Sequence, residues 1–210
     1  EPRLTASGEM VMSVIIENDF LDEKVDIIKP SQDDKLADIV RAAGIVGMGG
    51  ATFPTHVKLS PPQEKKIDVI IINGSECEPY ITSDHRVMLE KPEEVLGGLK
   101  AVMSRMGVLK GVIAIENNKP DAIEAMRKVS EGLDNIIVAP LKAKYPQGSE
   151  KQLIEVVTGK QVPSGKLPMD VGAIVLNVDT CTAIYNAVTF GRPLIDRVVT
   201  VTGSEISEPA

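Results

Sequence analysis

Apolar residues in this chain follow two alternating rhythms. Ile67 to Ile72 is a continuous apolar run broken only by Asp68, the pattern of a strand buried on both faces of a parallel sheet. From Pro92 onward Val95, Leu96, Leu99, Val102, Met103 and Met106 recur at helical spacing until Gly107. Gly111–Glu116 is strand-like again. Asn118, Pro120 and Asp121 open a helix bearing Ile123, Met126 and Val129, and Asn135–Leu141 returns to strand. Ser149 begins a helix with Leu153, Ile154 and Val157 that stops at Gly159. Residues 160–171 read as a loop, Gly172–Leu176 as a strand, and 177–180 as the entry to a helix running through Ala187. Strands alternating with helices predict βαβ units and an open parallel sheet.

The flanks read differently. Val11–Ile16 and then Val25, Ile27 and Ile28 suggest β-structure over residues 1–30, and Val198–Val201 suggests a further strand after Gly191-Arg192-Pro193. The chain opens at Glu1 inside what reads as a strand, which predicts a segment of a longer protein. Between the N-terminal β-region and the sheet, Ser31 with Asp34 predicts a capped helix carrying Leu36, Ile39, Val40 and Ala43 and ending at Gly44.

That helix leads into Gly47-Met48-Gly49-Gly50-Ala51-Thr52-Phe53-Pro54-Thr55-His56-Val57-Lys58. Glycines let backbone approach a ligand closely, and successive N–H groups can form an anion-binding concavity. With Lys58 beside it, the loop is a candidate cradle for a phosphorylated, flat cofactor; a glycine-rich crossover is the alternative. Its spacing is neither that of the dinucleotide fingerprint nor that of the P-loop. In open sheets ligands sit outside the carboxyl ends of the strands. The turns at 73–80, 144–150 and 177–180 fall at such ends. Asn73 offers a donor and an acceptor, or ends its strand in an Asx-turn. Glu76 and Glu78 could hold ribose hydroxyls or form a solvated acidic turn. Glu150 is either a ribose ligand or a first-turn acid, and Phe53 either stacks on a purine or anchors the core.

Composition narrows the classes. A net charge of −7 and a pI near 5.0 argue against nucleic acid. No apolar run is long enough to span a bilayer. Two cysteines, Cys77 and Cys181, make neither a disulfide framework nor a cluster-binding set. His56 and His85 lack the company of a metal site, and no Ser/His/Asp set has a recognisable context.

The loop at 47–58 resembles the glycine loop of the flavin-carrying subunit of respiratory complex I. Asn73-Gly74-Ser75-Glu76-Cys77-Glu78-Pro79, Gly148-Ser149-Glu150 and Asn177-Val178-Asp179-Thr180 are similar to that family's other signatures. The details fit best the C subunits of the Rnf electron-transport complex, over about residues 30–203. The resemblance implies an α/β fold: a Rossmann-like, mostly parallel sheet with helices on both faces over 31–191. It also implies partial β-domains on either side, a barrel-sandwich tail at 1–30 and the start of a β-grasp-type domain at 192–210. It implies an NADH dehydrogenase-type oxidoreductase module that binds FMN and NAD(H), with 4Fe-4S clusters only in the full-length protein. The partners would be the other subunits of an ion-translocating complex, at the cytoplasmic face of the membrane and without transmembrane insertion of this chain.

By the same resemblance Gly47, Gly49, Gly50, Lys58, Asn73, Glu76 and Asn177 contact flavin, and Phe53 stacks on adenine. Glu78 and Glu150 bond the dinucleotide, and Tyr145 and Gly148 line the cleft. No side chain acts as acid or base, since hydride transfer requires none. The chain departs from the complex I pattern at Thr52 (a glycine there), Ser75 (an aspartate), Ser149 (a glutamate) and Leu59 (an aromatic). A docking subunit with a degenerate nucleotide site and an unrelated mononucleotide-binding regulatory domain stand as alternatives.

Overall fold

The computed structural model describes residues 1–5, 7–21, 23 and 29–204. A short antiparallel hairpin, β1 (Pro2–Leu4) and β2 (Met10–Met12), comes first. It is followed by α1 (Leu36–Ala42), the one-turn α2 (Thr55–Lys58), β3 (Val69–Gly74), α3 (Ser83–Glu90), α4 (Pro92–Met106), β4 (Lys110–Glu116) and α5 (Pro120–Val129). Then come β5 (Ile136–Leu141), α6 (Glu150–Thr158), a 3-10 turn at Pro168–Val171, β6 (Ala173–Asn177) and α7 (Val178–Phe190).

Strands β3 to β6 form one parallel sheet in the order β5-β4-β3-β6. The chain steps outward from β3 to β4 to β5, then returns across the sheet to set β6 on the other side of β3. Right-handed crossovers place helices on opposite faces when the direction of travel reverses. Thus α4 and α5 cover one face and α6 the other. Ile70, Ile72, Ile113 and Ile115 pack with Leu99, Val102 and Ile184 on the first face; Ile71, Val112, Ala114 and Val175 pack with Leu153 and Ile154 on the second. Burial on both faces is why β3 reads as an unbroken apolar run.

On the thicker face α4 and α7 nearly touch. A Cβ added to Gly98 would lie 2.0 Å from the backbone oxygen of Cys181, and one on Gly97 2.3 Å from the Tyr185 ring. Only glycine permits this approach. Burial pushes the Cys181 thiol far up, and it behaves as a small apolar filler.

Several expectations change. The turn at Ser31 forms, with its N–H donating to Asp34 Oδ2 at 2.7 Å, but α1 starts a turn later, at Leu36. The first residue with a buried apolar face decides where the helix holds. At its other end Gly44, with φ +68°, closes α1 as anticipated: its N–H reaches the Arg41 carbonyl and that of Ile45 the Val40 carbonyl. The strand read at Val11–Ile16 ends at Met12; among the described residues Val14 and Ile16 have no layer to pack on and are exposed. Val25, Ile27 and Ile28 lie outside the described residues. Val198–Val201 is not a strand, because no strand lies beside it among the described residues. That stretch instead folds back across the domain: Leu194 N–H donates to the Ala43 carbonyl, Arg197 Nη2 to the Met48 carbonyl, and Thr82 N–H to Thr200 Oγ1.

Candidate functional site

The reversal of strand order between β3 and β6 opens a crevice beyond their carboxyl ends. A cavity of about 480 Å³ lies there, bounded by the glycine loop, the outer edge of β6, the 3-10 turn and the start of α6. This is within the range of small-molecule sites, roughly 300–1,000 Å³.

The loop owes its shape to local bonds. Gly47 N–H donates to the Phe53 carbonyl at 2.8 Å and Val46 bridges to Pro54, which pinches residues 47–53 into a hairpin-like lobe. Met48 N–H donates to Thr180 Oγ1 at 3.0 Å, pinning the lobe to the first turn of α7. Gly49 is pressed on Asn177, where a Cβ would come 2.9 Å from Nδ2. Gly50 is different: a Cβ there would meet nothing, so the protein itself does not require glycine at this cavity-lining position. Thr52 takes φ +52°, a conformation a glycine would adopt without strain. Phe53 stands at the mouth, 47% exposed.

Lys58 reaches under the loop. Its Nζ donates to Glu150 Oε1 at 2.6 Å and to the Val175 carbonyl at 3.1 Å. That carbonyl belongs to an edge strand and has no ladder partner on that side, so the lysine satisfies it. Asn73 Nδ2 donates to the Gly148 carbonyl at 2.9 Å, and its Oδ1 accepts from Ser75 N–H, so the Asx-turn and the cavity-facing role coexist. Gly148 sits tight against the same turn; a Cβ would fall 2.7 Å from the Ser75 carbonyl oxygen and 2.9 Å from Cys77 Sγ. Burial pushes the Cys77 thiol up, although Gly148 N–H donates to its sulfur. Asn177 caps α7, its Oδ1 accepting from Asp179 and Thr180 N–H.

Gly47, Gly49, Gly50, Phe53, Lys58, Asn73, Gly148, Glu150 and Asn177 therefore share one cavity. Three other expected residues do not line it. Glu76 turns inward to the start of α3, where its carboxylate accepts from Asp84 N–H at 2.8 Å and His85 N–H at 3.2 Å, an N-terminal cap rather than a cavity wall. Glu78 is exposed, and so is Tyr145 at 81%. Leu59 is buried in the core beside α1 and offers the cavity no face.

Two residues of the site carry no signal in the sequence. Thr55 is 1% exposed and lines the cavity, yet its hydroxyl has no partner. Asp84 holds Asn177 Nδ2 at 2.6 Å, and burial together with the nearby Glu76 carboxylate raises it to about 7. A buried hydroxyl without a partner is costly unless something else bonds it. A partnerless hydroxyl, backbone left open at Gly50, the N-terminus of α6 and the Lys58 ammonium, itself paired with Glu150, all meet here. That donor set fits a phosphorylated ring system.

A family model described as "Nuo51 FMN-binding domain" matches residues 40–186. The chain is 54% identical over 203 residues to the C subunit of the proton-translocating ferredoxin:NAD(+) oxidoreductase complex of Clostridium ljungdahlii, covering 94% of this chain and 44% of that protein. It is 50% identical over 215 residues to the Na(+)-translocating counterpart of Acetobacterium woodii, covering 100% and 48% respectively. The chain thus spans less than half the length of these relatives. Among solved structures, an NAD+-reducing [NiFe]-hydrogenase in its air-oxidized state superposes with a TM-score of 0.63 at 24% identity, over 74% of this chain and 30% of that one. This last likeness bears on the fold alone and agrees with an α/β, Rossmann-like sheet.

Proposed function

Because the chain belongs to the family of Rnf complex C subunits, with the Nuo51 FMN-binding domain at its centre, we propose that its cavity binds FMN and that NAD(H) meets the flavin there. One observation carries this reading: residues from four separated segments, Gly49, Lys58, Asn73, Glu150 and Asn177 among them, close around a single cavity at the switch point of the sheet. Bound there, FMN would supply hydride exchange with NAD(H) and single-electron exchange with 4Fe-4S clusters carried elsewhere in the full-length protein.

The chain's own part is to bind and orient. Gly50 leaves room for a ring to lie on the backbone. Lys58 supplies positive charge, and Asn73 and Asn177 fix the turns that end β3 and begin α7. Phe53 at the mouth is placed to stack on a second aromatic group, with Glu150 to accept from a ribose. We assign the chain to a membrane-associated electron-transport complex as a peripheral subunit on the cytoplasmic face, with the other subunits as partners. Among the described residues no helix is long and apolar enough to cross a membrane. The segments at 1–30 and 192–210 are assigned to flanking β-domains.

A second reading is favoured by the exposure of Glu78 and Tyr145 outside the cavity: a docking subunit whose dinucleotide half-site is degenerate. Flavin titration separates the two. Stoichiometric FMN uptake with bleaching of the flavin band on adding NADH supports the first. Uptake without bleaching leaves FMN binding and removes NADH oxidation, and no uptake at saturating FMN removes both. Lys58→Glu and Gly49→Glu should each abolish uptake, the first by reversing the charge and the second by driving a side chain into Asn177.

A further inference from the structure

Behind the cavity, Asn177 links the glycine loop to a group of acids. Its Oδ1 is committed to Asp179 N–H at 2.9 Å and Thr180 N–H at 3.3 Å, which fixes the face its amide presents. The Nδ2 end then points at Asp84 Oδ2, 2.6 Å away, while the same side chain abuts Gly49. Asp84 stands in the first turn of α3, its own N–H bonded to Glu76 Oε1. The charged groups around it come from three sides, Glu76 from the turn after β3, Asp179 from α7 and Lys119 from just before α5, and the neutral Cys181 thiol of α7 faces it as well. Lys119 is shared, lying 3.6 Å from Glu76 and 3.7 Å from Glu116 at the end of β4. His85 turns its ring to Asp121, 2.9 Å away. Asp84 is thus left with an amide donor, two acidic neighbours and a fraction of one ammonium.

We propose that Asp84 is a positioning residue whose protonation state sets the charge directly behind Asn177 and, through it, the grip of the glycine loop on a flavin nucleotide; the inference rests on the reading of the cavity as an FMN site. With the carboxyl neutral, Oδ2 accepts from Asn177 and adds no charge to the site. Once ionised, it places a negative charge directly behind Asn177, against a ligand that is itself anionic. Burial and Glu76 put that change close to neutral pH, with the Asn177 hydrogen bond pulling the other way. Affinity for FMN should therefore fall as pH rises through about 7.

The test compares FMN dissociation constants at pH 6, 7 and 8 for the wild-type protein and for D84N, which keeps an acceptor for Asn177 but cannot ionise. The second ionisation of the FMN phosphate affects both proteins alike, so it cancels in the ratio. The wild type should weaken about fivefold more than D84N across this range, in keeping with one added charge near the site. Parallel profiles would overturn the inference. Carbon-13 titration of the wild-type Asp84 carboxyl, read together with the Asn177 side-chain amide, needs neither FMN nor the variant. A shared midpoint near neutrality supports coupling; a carboxyl midpoint near 4, or an amide that does not move, defeats it. Failure of the wild type to bind FMN at any pH removes the cavity reading itself, and the flavin part of this inference with it.

Discussion

The two faces of the sheet are built to different ends. On the α4/α5/α7 side the apolar layer is continuous: β3, β4 and β6 present isoleucines and leucines to helices that approach closely enough to exclude a Cβ at Gly98. On the α6 side one helix covers the middle of the sheet, and the β6 edge is left to a loop, a lysine and a 3-10 turn. The difference follows from chain direction: two crossovers outward cover one face, and the single return crossover cannot fill the other. The larger share of the buried apolar residues lies on the thick face, and the thin one holds the cavity.

This contrast can be broken most forcefully at Gly98. A Gly98→Val substitution must push α7 away from α4, and should cost about 3 kcal/mol or more, measured by chemical denaturation. Paired truncations sharpen it. Leu99→Ala on the thick face should cost about 2–5 kcal/mol, whereas Val156→Ala on the outer surface of α6, where the side chain is 52% exposed, should stay within about 0.5 kcal/mol.

At Asp84 the prediction is a slope. Its folded pKa of about 7 exceeds the ordinary 3.8, so between those values the native state holds a proton that the unfolded chain has lost. Its contribution to stability is complete below 3.8, declines between 3.8 and about 7, and stays low above. Denaturation curves over this range should show that decline in the wild type and a flatter profile in D84N. At Thr55 the expected effect is split between two readouts. Thr55→Val removes a buried hydroxyl that has no protein partner, so stability should hold or rise slightly. FMN affinity should drop about fivefold, the worth of one hydrogen bond of roughly 1 kcal/mol. Opposite signs in two titrations would mark Thr55 as a residue kept for a ligand.

Much of the scaffold is legible in the sequence because each strand and long helix carries its burial pattern in one dimension. Pro92 and Gly107 bracket α4, and Ile67–Ile72 announces β3, although the ladder itself begins at Val69 and runs to Gly74. Helix α3 leaves no such trace, since Ser83-Asp84-His85-Arg86 offers no apolar face and only Val87 and Met88 are buried. Its N-terminus is capped by Glu76, which accepts from Asp84 and His85 N–H, and a cap eight residues away has no local signature. For the same reason the sequence makes Glu76 look like a cavity residue. The glycine loop and the turns at Asn73, Gly148 and Asn177 are legible as strand-end chemistry. Thr55 and Asp84 are not, because their roles come from burial and from which groups lack partners, properties that only the assembled fold creates.

Lys58 also has a bearing on how copies of this protein treat one another. An open sheet border with a bare carbonyl is a template onto which another chain can add a strand. An ammonium seated on Val175 discourages that pairing by charge and by occupying the acceptor. The side chain proposed to draw a phosphate into the crevice thus also guards against self-association, and a variant lacking it should be watched for aggregation as closely as for lost ligand.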